Sequence, residues 1–195
     1  MRLLPLLLLA ACAPPPPLSA PAPLPLPHVV QTSHPGGGAS ASAVPLFDRR
    51  GFAWYLTARH CLPVATVGGQ EVLHAYPHPK RDLAVLKVRG TVGAGTALAT
   101  RLPRLGDRLL AMGYGVGAFL QMTDGRAGPK PGQMTCPIIY GASGGAVLNA
   151  NGELVGIISQ VMRISNGFTS LPITHISIYV PVVGVKTWIL SATGV

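Results

Sequence analysis

The chain has 195 residues, 48% hydrophobic and 11% charged, which is ample apolar material for one packed domain or two small lobes sharing a core. Its 24 glycines and 20 prolines argue for short strands and many turns and against long helices. The net charge of +9 invites a nucleic-acid partner, but the basic residues are scattered from Arg49 to Arg126. They form no helical stripe and no aromatic-interleaved motif, so nucleic acid is set aside. Attraction to an anionic surface or an acidic partner fits the charge better.

The first twelve residues, MRLLPLLLLAAC, carry Arg2, a short apolar run and then small residues, the outline of an export signal. The run is shorter than the roughly 20 residues a spanning helix needs. Its end, Leu9-Ala10-Ala11-Cys12, resembles the bacterial lipobox, which implies acylation of Cys12 and anchoring of the exported protein to the cell-envelope membrane. The alternative is an ordinary signal cleaved after Ala13. Residues 13–38 are expected to be a tether, because its run of prolines favours extended polyproline II and a spacer role. The folded domain is expected over 39–195, with lobes at about 39–95 and 96–195.

From residue 40 the pattern turns to short apolar runs between turn residues, the mark of an all-β sandwich or barrel. Strands are expected in ASAVPLF, FAWYLTA, EVLHAYPH, LAVLKV, DRLLAMGY, GQMTCPII, GAVLNA, ELVGIISQVM and HISIYVPV, with DRRG at 48–51 as a tight turn. One short helix is expected at 184–192. Cys61 and Cys136 could pair in an exported protein. The preferred expectation is two free, buried thiols.

Three segments carry chemistry. A neutral serine is a poor nucleophile; it needs a base to take its proton, and that base needs a group to fix its tautomer. Ser143 lies in GASGG at 141–145, where glycines permit unusual backbone angles and let N–H groups converge on one point. His60 follows the run FAWYLTA, and histidine titrates near neutrality. Asp82 opens DLAVLKV, where an acid at a strand end would be half buried.

TARHC, DLAVLKV and GASGGAVLNANGELVGI, in that order, resemble the signature blocks of chymotrypsin-like serine peptidases. HPKRDLAVLKV and GDRLLAMGYGVG are similar to the bacterial Deg/HtrA-type protease domain. The resemblance covers about residues 40–190. It implies two six-stranded antiparallel β-barrels with a short C-terminal helix, and a site in the cleft between them. It further implies a triad of His60, Asp82 and Ser143 and an oxyanion hole made by the N–H groups of Gly141 and Ser143. A substrate pocket would be walled by 136–140 and 159–161, with Pro137, Ile138, Ser159, Gln160 and Val161 as contacts. Three departures stand out. Ala142 replaces the aspartate that digestive relatives carry before the serine, which removes their activation switch. No cysteine partner for Cys61 occurs in ASASAV, and PDZ modules are not expected.

The implied protein is a serine endopeptidase acting on polypeptides, without metal or cofactor. Its activity should rise with pH through the His60 pKa to a neutral or mildly alkaline plateau. A pocket without an acid predicts small or medium apolar residues before the cut, with Val161 narrowing the entrance. Other readings carry less. GASGG also fits the elbow of α/β-hydrolase esterases, but after Ser143 only Glu153 and His175 could complete that triad, and the segment reads strand-turn-strand. A catalytically silent, peptide-binding lipoprotein on the same scaffold is the reading of another class. His74 and His78 have an i, i+4 spacing, yet Pro77 and Pro79 forbid the helix that would aim both at zinc.

Overall fold

The computed structural model describes residues 29–37, 40–115, 119–165 and 170–194. Among these described residues, twelve strands and one α-helix form two antiparallel units. β1 (Val30–Ser33), β2 (Ser40–Arg49), β3 (Phe52–Thr57), β4 (Thr66–Val67), β5 (Gln70–Pro77) and β6 (Ala84–Arg89) close a barrel in the order β1-β2-β3-β6-β5-β4. β7 (Arg108–Gly115), β8 (Phe119–Arg126), β9 (Gln133–Met134), β10 (Ala146–Leu148), β11 (Leu154–Ser165) and β12 (Ser170–Pro181) form a sheet ordered β8-β7-β10-β11-β12-β9. An isolated bridge between Ala127 and Met134 draws its two edges together into a second barrel. The helix α1 (Lys186–Thr193) ends at Gly194, whose φ of 64° suits a glycine cap.

The uniformly apolar strands have a simple cause. Alternate side chains of a strand point to opposite faces, and here both faces are buried. On β3, Ala53 and Tyr55 enter the first barrel's interior, while Trp54 and Leu56 face a core shared by the two units. On β11, Val155 and Ile158 enter the second barrel, while Leu154 and Ile157 join that shared core. Val182, Val185 and Ile189 add the C-terminal segment to it. The units therefore meet across packed side chains, and the seam is a fixed frame.

Several elements differ from expectation. Val30–Ser33, placed within the tether by its proline-rich surroundings, is β1. It pairs with both β2 and β4 and so completes the first barrel, with Thr32 fully buried. Phe119–Arg126, absent from the expected strands, is the eight-residue β8, paired with β7 from Gly115–Phe119 to Arg108–Arg126. Of GQMTCPII only Gln133–Met134 is a strand. Asp48, expected in the turn, lies within β2, which runs on to Arg49, and the turn proper is Arg50-Gly51, both with positive φ. That pair matches the twist of the flanking strands, as two-residue hairpins require. Cys61 and Cys136 are buried and unbonded. Residues 1–12, with Cys12, lie outside the described residues. Among the described residues no helix is long and apolar enough to cross a membrane.

Candidate active site

The site lies at the seam. β3 runs out at Thr57, and the chain makes one 3-10 turn over Arg59–Cys61. Ala58 and Cys61 on either side are buried, so the turn is anchored by its apolar neighbours and presents His60 outward, 46% exposed. Asp82 comes from the connection between β5 and β6. Its carboxylate meets His60 twice: Oδ1 accepts the His60 backbone N–H at 2.8 Å, and Oδ2 lies 2.7 Å from Nδ1. The double contact sets both the place and the rotation of the imidazole. With Nδ1–H donating to Oδ2, Nε2 is left as the acceptor.

Sequence reasoning placed Ser159 in the pocket wall and missed a second contact. Its hydroxyl donates to Asp82 Oδ2 at 2.7 Å. Burial alone would raise the Asp82 pKa, but the hydrogen bonds from His60 and Ser159 outweigh it and hold it at about 2. In return, the hydrogen bond to Asp82 raises the His60 pKa above its ordinary 6.5. No spacing rule links positions 82 and 159, so only the fold reveals this contact.

The third segment is a glycine loop leading into β10. Its backbone is pinned from two sides: Ser42 N–H on β2 donates to the Ser143 carbonyl at 2.8 Å, and Gly144 N–H donates to the Ile158 carbonyl at 2.8 Å. Gly144 has a φ of 84°, and a Cβ there would stand 1.9 Å from the Ser42 carbonyl oxygen and 2.3 Å from Thr57 Oγ1. Glycine is required at that point by angle and by space together. Gly141, with φ of 92°, sits in a turn closed by Ala142 N–H to the Ile139 carbonyl. Ala142 is 1% exposed and packs closely against Gly113 and Gly145.

A cavity of about 310 Å³ opens here, lined by His60, Ile138, Ile139, Tyr140, Gly141, Ser143, Ser159 and Gln160. His60 and Ser143 thus share one cavity, and no acid lines it. The Ser143 hydroxyl donates to the Ser159 carbonyl at 3.3 Å. Pro137 is absent from the lining; its carbonyl accepts from Gln121 Nε2 on β8 at 3.3 Å, which holds the wall from behind. The Val161 side chain is outside what the structure describes. Among the described residues no group of three or more histidines, cysteines or acids could hold a metal.

Comparison with known proteins identifies the family. Residues 28–157 match the trypsin-like peptidase domain. The chain is 34% identical over 134 residues to the serine endoprotease DegS of Escherichia coli K12, an alignment spanning 57% of this chain and 37% of DegS. It is 35% identical over 108 residues to a probable periplasmic serine endoprotease, DegP-like, of Pseudomonas putida, spanning 48% of this chain and 22% of that protein. The chain therefore spans well under half the length of these curated relatives. In structure it is similar to mouse neuropsin, a serine protease, with a TM-score of 0.67 at 16% identity over 87% of this chain and 95% of that one.

Proposed function

The chain belongs to the trypsin-like peptidase family, and on that premise we propose that it is an exported serine endopeptidase with Ser143 as nucleophile, His60 as base and Asp82 as the orienting acid. The observation that carries the reading is the double hydrogen bond of Asp82 to His60, on the rim of the cavity that also holds Ser143.

The chemistry follows from the atoms. His60 Nε2 takes the Ser143 proton as Oγ attacks the peptide carbonyl carbon. The resulting oxyanion is held by the N–H groups of Gly141 and Ser143, each donor contributing about 3–4 kcal/mol. The tetrahedral centre collapses, the C–N bond breaks, and His60 returns the proton to the departing amine. Water then repeats the sequence on the acyl-enzyme with His60 again as base. Asp82 stays ionised throughout, which its low pKa allows. Because His60 works in its neutral form and its pKa is raised, the rate climbs on the alkaline side of 6.5.

Substrate would lie along 159–161. The side chain before the cut would enter the cavity beside Ile138, Ile139 and Tyr140, so apolar residues are preferred over Lys or Arg. The kinship to a protein named as periplasmic supports export, and the lipobox resemblance of Leu9–Cys12 supports anchoring through Cys12. Cys12→Ser should then move the protein from the membrane to the soluble fraction. A peptide library digested by the wild-type protein and by Ser143→Ala tests the main reading. Cleavage after apolar residues, lost in the variant, is expected; equal cleavage by both would remove Ser143 from the mechanism.

One observation favours a second reading. The Ser143 hydroxyl points to the Ser159 carbonyl, as it could in a scaffold that binds peptides without cutting them. Such a protein would hold library peptides intact. In a peptidase, hydrogen bonds of this kind tighten to the base only when substrate arrives.

A further inference from the structure

The loop that delivers Asp82 is built more elaborately than a connection between two strands requires. It spans residues 78–83, and its first member is a histidine the mechanism above does not use. His78 N–H donates to the Leu83 carbonyl at 2.8 Å, closing the loop at its base. Its Nδ1 then accepts two backbone N–H groups, from Lys80 and from Arg81, each at 3.0 Å. The imidazole therefore fills the loop from inside, as Asn or Asp side chains do in tight turns.

The same loop is tied outward in three directions. The His78 carbonyl accepts from Arg59 Nη1 at 3.2 Å, on the turn that carries His60. The His78 ring stands edge-on to Trp188 of α1, with centroids 4.7 Å apart. Arg81 Nη1 donates to the carbonyls of Pro181 at 3.1 Å and Val183 at 2.9 Å, where β12 gives way to the C-terminal segment. That segment is itself seated in the shared core through Val182, Val185 and Ile189. Asp82 is the next residue after Arg81.

We propose that His78 and Arg81 are positioning residues that lock the Asp82 carboxylate in register with His60 by bracing its loop against the C-terminal segment. The inference rests on Asp82 being the orienting acid. Three hydrogen bonds of 2.7–2.8 Å converge on one carboxylate, and they form together only if the backbone at 82 is fixed. To accept two N–H groups, His78 Nδ1 must be unprotonated. Burial and the charges of Arg81, Arg59 and Lys80 lower its pKa and favour that form.

The test follows the His60 imidazole by NMR titration, together with kcat and KM on a short ester substrate. Asp82→Asn sets the scale: the His60 pKa falls toward 6.5 and most activity is lost. His78→Ala and Arg81→Gln should shift the His60 titration part of the way in the same direction. They should lower kcat between about tenfold and a hundredfold, with KM little changed. His78→Asn, whose Oδ1 occupies the chain position of Nδ1, should restore both. Circular dichroism confirms that each variant is folded, and Arg81→Gln stands as the test if His78→Ala is not. A His60 titration unmoved in a folded His78→Ala or Arg81→Gln, beside a clear shift in Asp82→Asn, would overturn the positioning role alone. An unmoved titration in Asp82→Asn would remove the role of Asp82 itself, and this inference with it.

Discussion

The two halves of the candidate site are held in different ways. His60 and Asp82, both from the first barrel, arrive already joined by contacts of 2.7 and 2.8 Å. Ser143, from the second, arrives on a glycine loop whose backbone is pinned at 2.8 Å while its hydroxyl makes a longer bond of 3.3 Å to the Ser159 carbonyl. One half is preset in its side chains, the other in its main chain. A base needs one orientation for the whole cycle, whereas a nucleophile must leave its resting contact to react. On the proposed roles, the base is held through its side chain by a charged partner, and the nucleophile chiefly through the backbone of its loop.

That contrast can be broken from either side. The largest effect is expected on the preset half: Asp82→Asn should lower kcat by about 10⁴-fold and shift the acid limb of the pH–rate profile down toward 6.5. A limb that stays in place would mean that the pairing does not set the His60 charge. Next comes the main chain of the other half. Gly144→Ala forces a methyl group onto the Ser42 carbonyl and Thr57 Oγ1, so the loop must move and kcat should fall by about 10²-fold or more, with a lowered Tm. Undiminished activity and Tm would show that the loop is not pinned as described. Ser159→Ala removes one of the three bonds to Asp82 and should cost about tenfold or somewhat more in kcat, near the lower end of the range for a hydrogen bond to a charged group.

A smaller effect concerns stability. The Asp82 pKa is depressed from 3.8 to about 2, so its ionised form stabilises the fold above pH 3.8, and that contribution fades as pH falls through 2. Wild-type protein should lose more stability than Asp82→Asn over that interval in denaturant titrations. At the bottom of the scale, Arg108→Ala breaks an exposed ion pair with Asp124 and should leave Tm and activity unchanged.

The same contrast explains what could be read from the sequence. The strands β3, β6 and β10, and β11 from Leu154 to Ile158, were legible because both their faces are buried, which writes an unbroken apolar run. β8 was not, because its residues alternate between exposed and half-buried and leave no buried apolar run; its place is set by continuous pairing with β7. β1 was hidden among prolines, and its place is set by two partners distant in sequence. The candidate residues His60, Asp82 and Ser143 stood out because each sits at the edge of such a run and the blocks occur in a known order. The contacts of Ser159 with Asp82, of Arg81 with Pro181 and Val183, and of His78 with Trp188 join positions roughly 80 to 110 residues apart, and nothing in local composition marks them.

The account turns on whether the hydroxyl of Ser143 becomes nucleophilic beside the His60–Asp82 pair. Labelling with a fluorophosphonate probe, followed by peptide mass mapping, tests this directly. The account predicts a single adduct on Ser143 in the wild-type protein and none in Ser143→Ala, with greatly slowed labelling in folded His60→Ala. A folded wild-type protein that remains unlabelled, or an adduct on another serine, would contradict it.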